Sequence, residues 1–195
     1  MIRILIGSIL GGLLQFLVGF VFWGTPLAGI ALSSAGDAPN ATVQAVLAQN
    51  LPTTGTYFVP MPDTAQSAIL HGRGPVALIF FNTHGFPQMV PSAMIGGLIL
   101  SIVSMLLIGL ALHTVAARVD DFASRAKIVI FAAIGIVGYA IIGQPIYNFF
   151  MPWGYWIYLA ISLLVGFIAG GLVLARWFVP FAAPRTAVAA DTTVH

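Results

Sequence analysis

The sequence predicts an all-α membrane protein: four transmembrane helices with both termini cytoplasmic, and a small α/β extracytoplasmic cap between helices 1 and 2. Three observations carry that expectation. Of 195 residues, 59% are hydrophobic and 6% are Lys, Arg, Asp or Glu, against roughly 25% charged in a soluble domain. Four apolar runs, 4–23, 93–115, 128–150 and 156–178, contain no Lys, Arg, Asp or Glu except Arg176 in the last turn. Each is long enough, since about 20 helical residues cross a hydrocarbon core about 30 Å thick. The basic residues are one-sided. Arg3, Arg118, Arg125, Lys127, Arg176 and Arg185 fall at the ends and in the loop of one face, and Arg73 alone falls on the other. Short loops rich in Lys and Arg stay in the cytoplasm.

The resulting order is transmembrane helix 1 (1–23), cap (24–91), helix 2 (92–117), cytoplasmic turn (118–127), helix 3 (128–150), outer turn (151–155), helix 4 (156–178) and cytoplasmic tail (179–195). Helix 1 reads as an anchor, because its apolar run exceeds the roughly 7–15 residues of a signal peptide's core. It carries Gly7-x-x-x-Gly11, Ser8-x-x-x-Gly12 and a central Gln15. In the cap, 40–50 has helical composition and stops at Leu51-Pro52, and 56–59 is β-rich. The stretch 63–71 reads as a helix with Asp63 as N-cap and Gly72 beyond its end. The run 76–81 (VALIFF) is strand-like, with too little polar alternation for a fully exposed strand. At least one of its faces is therefore expected to be covered, since two strands alone are marginal.

Helix 2 carries a ladder of small or slender residues, Ala93, Gly97, Ser101, Met105 and Gly109, that ends at His113. The turn 118–127 reads as a solvated helix start, capped by Asp120 or Asp121, with Asp121 and Arg125 as an i,i+4 pair. In helix 3, Pro145 removes a backbone donor, so a kink is expected; Gln144 and Asn148 could satisfy the disturbed backbone, but the expected role of the intramembrane polar residues is hydrogen bonding between helices, ahead of a substrate or quinone contact. Helix 4 repeats Ser162, Gly166 and Gly170 on one face. Gly7, Gly11, Gly97, Ser101, Gly109, Ser162, Gly166 and Gly170 are thus the expected helix-packing positions, because helices in lipid associate through small residues. Gln15, Gln144 and His113 are the intramembrane polar groups. The aromatics around the outer turn, from Tyr147 to Tyr158, read as an interfacial belt, as do Trp177 and Phe178 on the inner face.

Chemistry is sparsely equipped. There is no Cys and no Glu, which removes thiol chemistry and Cys-based metal sites. His71 and His84, with Asp63, are weak metal candidates whose spacing fits no structural zinc pattern. His113 is the one imidazole within a span, and bis-His haem ligation needs two. Ser67, Asp63 and His71 imitate a triad without an oxyanion-hole motif, and triads are defined by geometry. No catalytic residue is assigned. A net charge of +2 is no nucleic-acid footprint.

The expected role is an integral membrane accessory or assembly subunit of a larger complex, for instance an electron-transfer or photosynthetic one. It would act by packing, with other integral membrane proteins and the bilayer as partners. The alternatives are a membrane sensor or ligand-binding module using the cap, or a homo-oligomeric pore for a neutral solute. No cofactor of its own is expected, only bound lipid. The expected location is a plasma-type membrane, in the first place a bacterial inner membrane.

Overall fold

A computed structural model describes residues 1–180 of the chain. In chain order its elements are α1 (Ile2–Trp23), α2 (Asp37–Asn50), β1 (Gly55–Val59), α3 (Ala65–Arg73), β2 (Ala77–Phe81), α4 (Pro91–Val115), α5 (Phe122–Val137), α6 (Gly143–Tyr147) and α7 (Trp153–Val173). A π-helical stretch, Gly138–Ile142, joins α5 to α6, and another, Leu174–Phe178, extends α7. Ile2–Trp23, Pro91–Val115, Phe122–Tyr147 and Trp153–Phe178 are long and apolar enough to span a membrane, which points to a multi-pass membrane protein. The predicted class holds: four long apolar helices, with a small two-stranded sheet between the first and second. The tail expected at 179–195 lies outside the described residues from 181 onward.

Element ends move for identifiable reasons. The third long helix starts at Phe122 rather than 128, because Asp121 Oδ1 accepts the Ser124 amide at 2.8 Å and opens the helix there. It closes at Tyr147, and a π-helical stretch, Gly138–Ile142, precedes Pro145. The π register leaves a carbonyl without its usual amide, and proline removes one more donor. Gln144 Nε2 donates to the Ala140 carbonyl at 3.3 Å, and Asn148 Nδ2 to the Gln144 carbonyl at 3.0 Å. The α3 cap is Thr64, not Asp63: Thr64 and Ser67 exchange side-chain and backbone bonds, and Asp63 Oδ1 only receives the Ser67 hydroxyl. Nor does α3 stop at Gly72. It runs to Arg73, and Gly74, at φ 69°, supplies the backbone conformation that ends it.

The chain forms two compact units. The first comprises Met1–Gly19, Gly96–Ile136 and the described part of Leu163–His195. Its interior holds Ile4, Met105, Leu112, Val129, Leu174, Ala175 and Val179. Glycines set the closeness of its helices. A Cβ on Gly11 would lie 2.9 Å from the Gly170 carbonyl oxygen, and one on Gly12 would lie 2.5 Å from the Ile102 Cα. Without side chains there, the α1 backbone meets α7 on one side and α4 on the other.

The second unit comprises Phe20–Ile95 and Val137–Ser162. It contains the cap, whose strands pair antiparallel with Phe58 opposite Leu78 and Thr56 opposite Phe80. Residues directly opposite share a face, so Thr56, Phe58, Leu78 and Phe80 line one side. That side is half covered: Phe58 and Leu78 are partly buried, and Phe80 is exposed. The other side carries the edge-on Tyr57–Phe81 pair. No residue of α2, α3 or the strands is fully buried.

Candidate functional site

Within the first unit the expected packing residues divide by what they face. Gly7 lies under the Phe178 and Leu174 side chains, Gly109 against Ile4, and Gly166 against Gln15. Gly11 and Gly170 face each other's backbone, with the Met105 side chain filling the space beside them. Gly97 meets only the edge of the Phe16 ring at ordinary contact distance, and Ser101 Oγ donates to the Gly97 carbonyl at 2.9 Å. The close approach at Gly171 is not among the expected packing positions, and Gly12 enters only as the end of Ser8-x-x-x-Gly12. A Cβ on Gly171 would lie 2.5 Å from a Val129 methyl of α5. The legible signal is the doublet. Adjacent helical residues point about 100° apart, so Gly11-Gly12 and Gly170-Gly171 each admit two neighbours.

The intramembrane polar groups have separate surroundings. Gln144 bonds to its own helix rather than to a neighbouring one as expected, because the Ala140 carbonyl lies one turn back within its reach. Gln15 Oε1 is buried without a hydrogen-bond partner among the described residues. His113 is exposed near the end of α4. Ser8 Oγ is turned back onto the Ile4 carbonyl at 2.8 Å.

Arg125 overturns the solvated reading of its turn. It is 0% exposed, and its guanidinium donates to three carbonyls: Val119 (2.9 Å), Val179 (2.8 Å) and Pro180 (2.8 Å). Val179 and Pro180 directly follow the fourth long helix, where carbonyls lack intrahelical partners and the helix dipole favours a cation. The arginine therefore caps a helix 54 residues further along the chain. Around it, Arg3 Nη2 donates to the Trp177 carbonyl at 3.4 Å, and Arg176 lies 5.7 Å from the Phe122 ring centroid.

Asp121 opens the same turn. The Ser124 hydroxyl first, and its amide second, hold the carboxyl below the usual aspartate value. A depressed folded value means that the stabilisation is complete above the unfolded pKa of about 3.9 and is lost as pH falls through the lower folded value. The Ser124 amide resonance should accordingly titrate below about pH 3.9. Titration at or above that value would contradict the cap, and Asp121→Ala should abolish it.

In the second unit the end of α1 is clasped by α7. Three carbonyls of the last turn of α1 find partners beyond the helix: Phe20 receives the Gly24 amide, Val21 the Thr25 hydroxyl, and Phe22 the Tyr158 hydroxyl at 2.7 Å. Trp23 Nε1 donates to Ser162 Oγ at 3.1 Å, and its ring packs edge-on against Tyr158. Tyr158 is thus a buried interhelical clasp rather than part of an exposed belt, whereas Tyr147, Phe149 and Trp153 are exposed. Tyr158→Phe should cost about 1 kcal/mol, read as a lower midpoint of unfolding in mixed micelles.

The two cap histidines have separate contacts. His71 Nδ1 is 3.2 Å from the Pro60 carbonyl oxygen, and its ring packs on Phe58; His84 Nδ1 is 3.2 Å from the Thr83 hydroxyl. Among the described residues no group of three or more His, Cys, Asp or Glu is arranged to hold a metal. What the molecule offers is a set of close helix contacts and a partly covered cap. No family model matches the chain, and no curated protein or solved structure is detectably similar to it.

Proposed function

We propose that the chain is an integral membrane accessory or assembly subunit that works by helix packing within a larger membrane complex. The observation that carries this reading is how the polar and small groups of the long helices are spent. Ser8, Ser101, Gln144 and Asn148 bond to their own helices, and Ser162 to Trp23, while the buried Gln15 Oε1 is the exception, with no partner among the described residues. In the first unit α1, α4 and α7 close on one another through Gly11, Gly12, Gly170 and Met105. Coupled transport ordinarily needs ionisable groups at membrane depth, and the buried cation here is occupied in capping a helix.

One helix also keeps an outward notch of small residues between the exposed Phe131 and Tyr139. Gly135 of α5 has nothing among the described residues within 4 Å of where its Cβ would be, and Ala132, on the preceding turn, is exposed. Small residues on an outward face let a second helix approach closely. The grouping of Arg3, Arg118, Arg125 and Arg176 near one end of the first unit supports a cytoplasmic placement of both termini. It also suits a plasma-type membrane such as a bacterial inner membrane.

The test is recovery of the full chain from its native membrane in mild detergent, with mass spectrometry of what accompanies it. A stoichiometric integral membrane partner supports the reading. A lone homo-oligomer, or a bound small molecule with no protein partner, overturns it. Gly135→Leu should leave the chain folded, since the position is open, and lower the partner's recovery.

A further inference from the structure

We infer that the cap is itself a membrane-binding element: the Phe80 end of its two-stranded sheet seats in the interfacial layer of the bilayer beside the long helices. Three observations converge on this. The first is placement. Phe58 of β1 packs on Phe150 with ring centroids 5.0 Å apart, and Phe150 lies in the short connection between Tyr147, the end of α6, and Trp153, the start of α7. If the long helices cross a bilayer, that connection is at its edge, where Tyr147, Phe149 and Trp153 are exposed and aromatic rings favour the headgroup level. The sheet face containing Phe58 is therefore held at that level.

The second is the face itself. Phe80 stands on the same side of the sheet as Phe58, two cross-strand pairs further along, or about 7 Å at the usual rise of a strand. It is 80% exposed. Thr56, Phe58, Leu78 and Phe80 include no charged group. Edge strands that face water are ordinarily blunted by Lys or Pro or by inward charges, and β2 has none of these within it.

The third is the tether. Residues 74–117 contain no Lys, Arg, Asp or Glu. The segment from β2 to Pro91 exposes Phe86 and Met89 and leads directly into α4. Strand, tether and helix form one uncharged stretch, as suits a path through the interface. A protein-binding face would be expected to carry a polar, often charged rim; lipid requires none.

The inference rests on the long helices crossing a bilayer, not on the packing role proposed above. The absence of cysteine from the chain makes the test direct. Phe80→Cys in the full-length protein is spin-labelled in phosphatidylcholine nanodiscs, and its collision rates with oxygen and with a water-soluble nickel chelate are compared. Ile99→Cys, an exposed position within α4, sets the lipid value. The expected result is an oxygen-to-nickel ratio at position 80 several-fold above that of free label in buffer and approaching that of position 99. A ratio equal to free label overturns the inference. Label-to-label dipolar coupling between chains also overturns it, and names a second copy as the occupant. A water-like ratio at position 99 overturns the membrane reading itself, which separates the two failures. If Phe80→Cys does not accumulate, Thr56→Cys, directly opposite on the same face, is read in the same way.

Discussion

Arg125→Met should destabilise the protein by roughly 2–4 kcal/mol, since a buried carbonyl left without its donor costs about 1–3 kcal/mol. A drop of about 10 °C in melting temperature is the corresponding order for a chain of this size. The cost comes less from losing a charge than from what is left behind. The carbonyls of Val119, Val179 and Pro180 each receive a guanidinium N–H at 2.8–2.9 Å, and a methionine donates nothing. Two of those carbonyls follow the fourth long helix, so its end loses its cap as the turn before α5 loses its tie to it. Arg125→Lys should recover less than half of the loss. One ammonium on a flexible stem does not reproduce a planar fork that reaches three acceptors in different directions. Lys127→Met, two residues on and exposed, serves as the control for lost positive charge and should change stability by less than about 0.5 kcal/mol. Equal melting of the Arg125→Met and Lys127→Met variants would show that the burial of Arg125 contributes nothing.

That burial also marks the limit of what the sequence makes legible. The long helices follow from local rules: length, apolarity and the avoidance of charge. So do the two strands, because each depends on neighbours within a few residues; Gln144, expected to bond between helices, turns to its own helix instead. Arg125 does not. Near a helix start, between Asp121 and Lys127, it has the local surroundings of a solvated charge, and only the end of a helix 54 residues later makes it an interior group. Tyr158 is misread for the same reason, since its partner is the carbonyl of Phe22, 136 residues earlier. The α3 cap is a smaller miss of another kind. Asp63 and Thr64 are both good capping residues, and the reciprocal bonds between Thr64 and Ser67 decide between them. The glycine positions are intermediate. Spacing of four finds Gly7, Gly11, Gly166 and Gly170, but not which of two adjacent glycines lies against backbone and which against a flexible side chain.

That last distinction sets the second large effect, a graded alanine series. At Gly12 a new Cβ would lie 2.5 Å from the Ile102 Cα and 2.7 Å from its amide nitrogen. Both are backbone atoms of α4, and no rotamer change relieves the clash. Overpacking of this kind costs about 1–3 kcal/mol, and the gain from replacing a helical glycine, up to about 1 kcal/mol, offsets it only in part. Gly170→Ala meets the Gly11 carbonyl oxygen and the Met105 sulfur, each at 2.7 Å. The sulfur can swing aside and the carbonyl cannot, so the loss should be similar or slightly smaller. At Gly7 the nearest obstacle is the Phe178 Cβ at 2.5 Å, which moves only with its backbone, so the loss should be close to that at Gly170. Gly96→Ala enters open space and should be neutral or stabilising. Between Gly12→Ala and Gly96→Ala the helical gain cancels and the expected spread is about 1–3 kcal/mol, measurable by equilibrium unfolding in mixed micelles. If the four variants unfold at one midpoint, the glycines are not what lets the α1 backbone meet α4 and α7. Should the series come out in this order, contact between backbones is what holds α1 against its neighbours, as expected where water supplies no hydrophobic drive between helices.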